Sequence, residues 1–360
     1  MSLILVGINH KTADISLREK VAFPPEIIRD ALREVRKLDS VDEVVLLSTC
    51  NRTELYINGI QTTSADDDNS EQLRDSLVQQ RVEEVVEWLA NFHKLQSGEL
   101  SKSIYSLSGQ EVVKHLMKVS CGLDSLVLGE PQILGQIKSA FALAEDLNIV
   151  GSALSRAFNA AFSIAKEVRT ETAIGENPVS VAYAATLLAE RIFSNLESLS
   201  ILLIGAGRTI ELVATHFKEK KVSRITVANR TLDNALEIAH KYGGKGVLLS
   251  DIPEQLEVVD IVVSSTNSQL PLLGKGSVER ALQRRKHRPM LLIDLAVPRD
   301  IEAQVGDIAD AYLYSIDDIS GAIEDNVKSR SEAAIQAEII IDRGLHKFGK
   351  QLRSLNAIST

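Results

Sequence analysis

Cysteine is almost absent from this chain: Cys50 and Cys121 are the only two in 360 residues. Two thiols make no disulfide scaffold, and their scarcity predicts a reduced, cytoplasmic setting. No metal-ligand set is visible among these cysteines and the seven histidines. No apolar run approaches the about 18 residues that a membrane span needs, so no membrane partner is expected. The strand-like start LILVGI carries no charged n-region, apolar h-region or cleavage site. Basic charge is in deficit as well, 40 Lys and Arg against 49 Asp and Glu, a net of −9. A nucleic-acid partner would therefore need a local basic patch, because the overall field repels it. Aromatic residues are only 4%, which leaves the cores to Leu, Ile, Val and Ala. What remains is ordinary for a soluble globular protein, 44% hydrophobic and 25% charged, at a length that predicts two or three domains.

The stretch 44–57, VVLLSTCNRTELYI, is the one the chain is organised around. The apolar run from Val44 to Leu47 reads as a buried strand, and Leu55 to Ile57 as a second. Between them Cys50 sits in a tight connection, two positions before Arg52. A guanidinium beside a thiol favours the thiolate, which is the nucleophilic form. A small unpaired cysteine packed in a core fits the same residues.

Along the first 165 residues, Leu3–Ile8 predicts a strand, and Pro24-Pro25 opens a helix to about Leu38. The polar residues 60–81 predict a surface loop running into a helix. Helical spacing follows from Val82 to Leu95, with His93 at the surface. A further helix carries Val112, Val113, Leu116, Met117 and Val119, and on its residues alone His115 reads as structural. The segment 122–136, GLDSLVLGEPQILGQ, mixes glycines, carboxylates, amides and a hydroxyl. Pro131 suits a first helical turn, and Gln132 and Gln136 are four apart. That set is either the polar wall of a pocket or a capped helix start.

Residues 150–195 are Ala-rich and predict a helical connector. A second domain opens with the strand Ile201–Ile204, the turn Gly205-Ala206-Gly207-Arg208-Thr209-Ile210, and a helix to about Phe217. Strand, Gly-x-Gly turn and helix form a dinucleotide site, the glycines admitting a pyrophosphate at the helix N-terminus. Ile210 stands where the third glycine of the pattern belongs. The strand Arg224–Ala228 ends in Asn229-Arg230-Thr231. No acidic residue is there to bind a ribose 2′-hydroxyl, and a guanidinium suits a 2′-phosphate, which predicts NADPH. Strands at Val247–Leu249, Ile261–Ser264 and Met290–Leu295 alternate with helices, as in a parallel doubly wound sheet. Ser264-Ser265-Thr266 and Asp294 fall at strand ends, as ligand residues or as helix caps. From Asp317 to Phe348 one long helical pattern carries a stripe of Ile319, Ile323, Val327, Ala334, Ala337 and Ile341, too sparse to bury against one domain, which predicts a partner chain.

Taken together, GINHKTA (7–13), LLSTCNRTELY (46–56), GLDSLVLGEPQILGQIKSAF (122–141), RTETAIG (169–175), LIGAG (203–207), ANRT (228–231), SST (264–266) and DLAVPRDI (294–301) resemble the glutamyl-tRNA reductase family over nearly the whole chain. The resemblance implies an α/β multidomain fold: an α+β catalytic, glutamyl-tRNA-binding domain (1–165), a Rossmann-like NADPH domain (166–314), and a long spinal helix with the start of a dimerisation domain (315–360). It implies Cys50 as nucleophile and His115 as a histidine needed for activity. It places Thr49, Asn51, Arg52, Ser125, Glu130, Pro131, Gln132 and Gln136 at the substrate, and Gly205 through Ile210 at NADPH. It further implies glutamyl-tRNA(Glu) as substrate, a homodimer, and hand-over of the aldehyde product to an aminomutase. Two departures stand out: Arg208 replaces an acidic residue of the family pattern, and the segment around Asp66–Ser70 reads as an insertion. The chain stops at Thr360, short of a full dimerisation domain, so it is expected to dimerise poorly.

Overall fold

The computed structural model describes residues 2–59, 70–125, 128–130, 132–172, 174, 181–193, 195–321 and 327–358. It divides into two compact units, Met1–Pro178 with Lys328–Thr360, and Val179–Val327. Pro131 and residues 60–69, which include most of the segment around Asp66–Ser70 expected to be an insertion, lie outside the described residues.

The first unit is built on an antiparallel sheet of β1 (Leu3–Asn9), β2 (Glu43–Ser48), β3 (Arg52–Asn58) and β4 (Tyr105–Ser108), in the order β2-β3-β1-β4. Every residue of β1 is buried, which explains its unbroken apolar run: a strand covered on both faces loses the usual alternation. β4 has no such run, since Tyr105-Ser106-Leu107-Ser108 alternates at the sheet edge and is too short to stand out. The helix after Pro24-Pro25 starts late, at Ile28, and ends at Val35. The helix expected from Val82 begins already at Ser70 and runs to Phe92. His93 is not a surface histidine. Its ring lies edge-on to Phe23 with centroids 4.5 Å apart, and burial pushes its pKa down to about 4.

The expected connector is two separate things. Ser152–Glu171 is a core helix of the first unit, burying Leu154, Ala157, Phe158, Ala161, Ala165 and Val168, whereas Val181–Ile192 belongs to the second. The C-terminal helix, Val327–Ile358, also differs from expectation. It is not left waiting for a partner: Ala333, Ala337, Ile340, Ile341 and Phe348 are buried in the core of the first unit. Gly344 makes this close packing possible, since a Cβ there would lie 2.4 Å from the Ile164 side chain. Pairs of Lys118 with Glu338 at 2.7 Å and Lys114 with Asp342 at 3.0 Å flank the contact. Of the expected stripe, Ala337 and Ile341 are buried here, Ala333 is buried where Ala334 is only half-buried, and Ile323 lies outside the described residues; the packing places 328–360 with the first unit rather than apart from it.

The second unit holds a six-stranded parallel sheet: β5 (Ser200–Ile204), β6 (Arg224–Asn229), β7 (Lys245–Leu248), β8 (Ile261–Ser264), β9 (Met290–Asp294) and β10 (Ala311–Ser315). The order β10-β9-β8-β5-β6-β7 is that of a doubly wound dinucleotide fold. The strand order reverses between β5 and β8, and ligands of such sheets bind outside the carboxyl ends of the strands at that point. Among the described residues no helix is long and apolar enough to cross a membrane.

Candidate functional site

β2 and β3 are joined by only Thr49, Cys50 and Asn51, so register and side chains fix the turn together. The Thr49 backbone N donates to the Arg52 carbonyl at 2.8 Å. The Thr49 hydroxyl accepts from the backbone N of Asn51 and of Arg52, both at 3.2 Å. Buried Arg18 reaches across to donate to the Cys50 carbonyl at 2.7 Å. Cys50 is left half-buried at the tip, whereas Cys121 is fully buried and burial pushes its thiol up to about 12.

Arg52 plays a different part from the one its spacing suggested. Its residue is 2% exposed, and its Nη1 donates to Glu54 Oε1 at 2.6 Å. Both Nη atoms also lie 3.1 Å from Asp124 Oδ2, and Nη2 donates to the Asp124 carbonyl as well. Its charge is therefore met by two carboxylates, and the guanidinium that touches the Cys50 peptide is that of Arg18.

Glu54 is the hub. This fully buried carboxylate accepts from Arg52, from Tyr56 OH at 2.6 Å, from Tyr105 OH at 2.5 Å, and from His115 Nε2 at 2.9 Å. Burial alone would raise its pKa, but the Arg52 and His115 charges and these hydrogen bonds outweigh it and hold the carboxyl well below the carboxylate range. A carboxylate that accepts from His115 Nε2 selects the tautomer with the proton there. His10 lies beside the same loop, its backbone N donating to the Asn51 carbonyl at 2.9 Å. Burial, then the Arg52 charge, pushes the His10 pKa down to about 4.

The structure thus brings Thr49, Cys50, Asn51, Arg52 and His115 into one locality, and Asp124 carries it onto the loop with Ser125. Gly122 (φ +75°) and Gly129 (φ +79°) close the neck of that loop, the Gly129 N donating to the Gly122 carbonyl at 2.9 Å. Ser125 and Glu130 are half-buried, and burial pushes the Glu130 carboxyl up to about 7. Gln132, the first residue of the helix to Asp146, is half-buried, but Gln136 is exposed, so the two amides do not form a common enclosed wall. Sequence reasoning missed Glu54, Tyr105, Asp124, Lys11 and Arg18. The available signal was Glu54 itself, an acid inside an otherwise apolar strand.

In the second unit, β5 is followed by Gly205, whose φ of +113° suits glycine and whose Cβ would sit 2.4 Å from the Ser265 carbonyl just after the neighbouring strand β8. Gly207 caps the helix Arg208–Glu219, and a Cβ there would meet nothing within 4 Å, so the helix N-terminus faces open space. Arg208 is exposed, Ala206 and Thr209 are half-buried, and Ile210 is fully buried. The Ile210 side chain therefore packs the core where the third glycine would stand, and only its backbone belongs to the loop. At the end of β6, Asn229 Oδ1 accepts from Arg230 N at 2.7 Å, leaving the Arg230 and Thr231 side chains exposed. Of the residues at the other strand ends, Ser264 and Thr266 are held by Asp300 (2.6 Å from the Ser264 hydroxyl), and Asp294 accepts from Ile301 N at 2.8 Å. These residues order loops by hydrogen bonding, and burial pushes the Asp294 carboxyl up to about 7.

Comparison with known proteins agrees with this division. The glutamyl-tRNAGlu reductase N-terminal domain family matches residues 6–172, and the shikimate/quinate 5-dehydrogenase family matches residues 187–322. The second match places that unit among nicotinamide-dependent dehydrogenase domains. Glutamyl-tRNA reductase of Marinobacter nauticus is 52% identical over 100% of this chain and 80% of its own length. That of Shewanella amazonensis is 51% identical over 100% of this chain and 82% of its own. The solved glutamyl-tRNA reductase of Methanopyrus kandleri is 32% identical, with a TM-score of 0.50 over 98% of this chain and 81% of that one. By its sequence over its whole length, this chain belongs to the glutamyl-tRNA reductase family.

Proposed function

We propose that the chain reduces the glutamyl group of glutamyl-tRNA(Glu) to glutamate-1-semialdehyde with NADPH, releasing the tRNA, as the first step toward 5-aminolevulinate and tetrapyrroles. The observation that carries the reading is the Cys50 loop: a half-exposed thiol at a three-residue strand connection, locked from behind by Thr49 and Arg18. The Cys50 thiolate attacks the ester carbon, the tRNA hydroxyl leaves, and a thioester remains on the protein. When bound, NADPH supplies the hydride that takes this thioester to the aldehyde, and Cys50 leaves as thiolate. His115, oriented by Glu54, is positioned to manage the proton of the leaving hydroxyl. Thr49, Asn51, Ser125, Glu130, Pro131, Gln132 and Gln136 are assigned to holding the glutamyl group and its ester. The test is a turnover assay with purified protein, glutamyl-tRNA and NADPH, read as aldehyde formed. Turnover of a free small molecule with no dependence on tRNA would instead make the chain an ordinary dehydrogenase.

For the cofactor, the open helix N-terminus after Gly205 and Gly207 accepts the pyrophosphate, with Arg208 and Thr209 at its rim. Asn229, Arg230 and Thr231 take the 2′-phosphate. Arg230→Ala is expected to weaken NADPH about tenfold to hundredfold, the loss of one charge-assisted contact, while NADH changes little. Isothermal titration with both nucleotides checks this, and equal weakening of the two would make Arg230 structural.

Homodimerisation, a cytoplasmic setting and hand-over of the aldehyde to an aminomutase complete the reading. On the C-terminal helix Ile335 and Ile339 are 63% and 64% exposed, four residues apart on one face. Such a narrow apolar face supports weak self-association, expected as a concentration-dependent monomer–dimer mixture in sedimentation. A stable dimer at nanomolar protein would refute this weak coupling.

A further inference from the structure

Asp300 is a fully buried carboxylate on the connection that leaves β9, in the second unit. Asp294, the last residue of β9, folds that connection back by accepting from Ala296 N at 3.0 Å and from Ile301 N at 2.8 Å. The turn so formed carries Asp300 to the end of the neighbouring strand, β8. There its Oδ2 accepts from the Ser264 hydroxyl at 2.6 Å and from Thr266 N at 2.9 Å, and its Oδ1 accepts from the Thr266 hydroxyl. Its backbone carbonyl accepts from Leu272 N at 2.6 Å and from Leu273 N at 3.0 Å. One residue thus ties both ends of the excursion from Thr266 to Leu272. The Thr266 hydroxyl is engaged twice, since it also accepts from Ser268 N at 3.0 Å. What the end of β8 offers a ligand is therefore mainly backbone, and the placement of that backbone is tight. Ser265 N donates to the Ile204 carbonyl at 3.0 Å, and a Cβ on Gly205 would lie 2.4 Å from the Ser265 carbonyl. The end of β8 is one wall of the crevice where the strand order reverses.

We propose that Asp300 is the positioning residue of the nicotinamide half of the cofactor site: it fixes, without touching the ligand, the backbone wall at the end of β8 on which that half rests. The proposal rests on the reading of the second unit as an NADPH site. A dinucleotide lies across such a crevice with one mononucleotide half on each side. Arg230, just after β6, marks the adenosine side, which leaves the β8 side to the nicotinamide. The reason for the tie is entropic. An excursion released at both ends has to be ordered when the cofactor binds, and that ordering weakens binding of whatever rests on it. The adenosine half, beyond β5 and β6, does not depend on this wall. Geometry rather than charge is what Asp300 supplies. An asparagine in its place keeps an oxygen for Ser264 and Thr266 N, and its amide donates to the Thr266 hydroxyl, which accepts instead.

The test is isothermal titration of the full chain with two ligands: NADPH, and adenosine 2′,5′-bisphosphate, which has the adenosine half and its 2′-phosphate but no nicotinamide. Asp300→Ala is expected to weaken NADPH about tenfold or more and to leave the bisphosphate within about twofold of native. Asp300→Asn is expected to bind NADPH within about threefold of native. Equal loss of both ligands in Asp300→Ala would make the residue merely structural and overturn the proposal, as would an Asp300→Ala variant with native NADPH affinity. If Asp300→Ala fails to fold, Thr266→Val decides. It removes the hydroxyl at nearly constant volume, and a loss of about threefold against NADPH alone is expected; the absence of that split overturns the proposal. The native titration tests the underlying reading separately. A native chain that binds neither ligand defeats the cofactor assignment, whereas native binding of both with no split in the variants defeats only the role of Asp300.

Discussion

Replacing Cys50 with serine is expected to abolish aldehyde formation from glutamyl-tRNA while leaving NADPH affinity at its native value. Removal of a covalent nucleophile costs at least about a thousandfold in turnover, because the remaining groups bind and orient but form no acyl intermediate. A serine hydroxyl is no substitute: its pKa lies far above that of a thiol, and the neighbouring turn residues Thr49 and Asn51 are not bases. The fold should hold, since the Thr49 hydroxyl and backbone groups tie the turn. NADPH affinity should hold because the Gly205 loop lies in the other compact unit. Single-turnover assays with labelled glutamyl-tRNA, trapped in acid, would show label on the native chain and none on Cys50→Ser. Cys121→Ser is the control. That thiol is fully buried and pushed up to about 12, so it is neither accessible nor ionised, and turnover per folded molecule should not change. Near-native turnover by Cys50→Ser would sink the thioester mechanism.

Much of this site was legible because its chemistry is local in sequence. A turn of three residues puts Thr49, Cys50 and Asn51 together whatever the rest of the chain does, and the strands flanking them are continuous apolar runs. The doubly wound sheet was legible for the same reason: β5, β8 and β9 are buried almost throughout and read as nearly unbroken apolar segments, and β6 keeps Ile225, Val227 and Ala228 buried. The short edge strands β4 and β10 were not, since an edge strand has half its neighbours and a weaker pattern. Arg52 shows a second kind of failure. Spacing placed a guanidinium near a thiol, but of its partners only Glu54, two residues on along the same strand face, is local; Asp124, 72 positions away, is set by tertiary structure. Periodicity cannot show which carboxylate folds back onto which cation. His115 was undecidable for that reason too, since on a helix its spacing is that of a core residue and only the contact with Glu54 reveals it. The C-terminal helix failed on quantity: its apolar stripe looked too thin to bury, but alanines and Gly344 allow an approach so close that few large side chains are needed.

Glu54→Gln is expected to be the most destabilising single substitution in the first unit, and to change how its stability depends on pH. The glutamine keeps the shape but removes the charge that compensates Arg52, whose side chain is 1% exposed. Breaking a buried ion pair by removing one partner costs about 3–5 kcal/mol. Asp124 remains within reach of Arg52 and puts the expected loss toward the lower end, about 3 kcal/mol. Urea denaturation followed through Trp88, the chain's single tryptophan, reports on this unit selectively. The sign of the pH effect follows from linkage. The folded carboxyl titrates far below its ordinary value of 4.5, so as pH falls through that value the unfolded chain takes up the proton and the folded chain does not. Glu54 therefore contributes its full stabilisation above about pH 5 and loses it progressively on acidification. The native protein should lose stability steeply between about pH 5 and pH 3, and Glu54→Gln should lose less over the same interval, the two curves converging as pH falls. Turnover should fall as well, because a neutral amide oxygen is a weaker acceptor than the carboxylate for His115 and Tyr105, which it orients. A variant with native stability at pH 7, or with a gap to the native protein that does not narrow in acid, would mean that Glu54 is not the charge that holds Arg52.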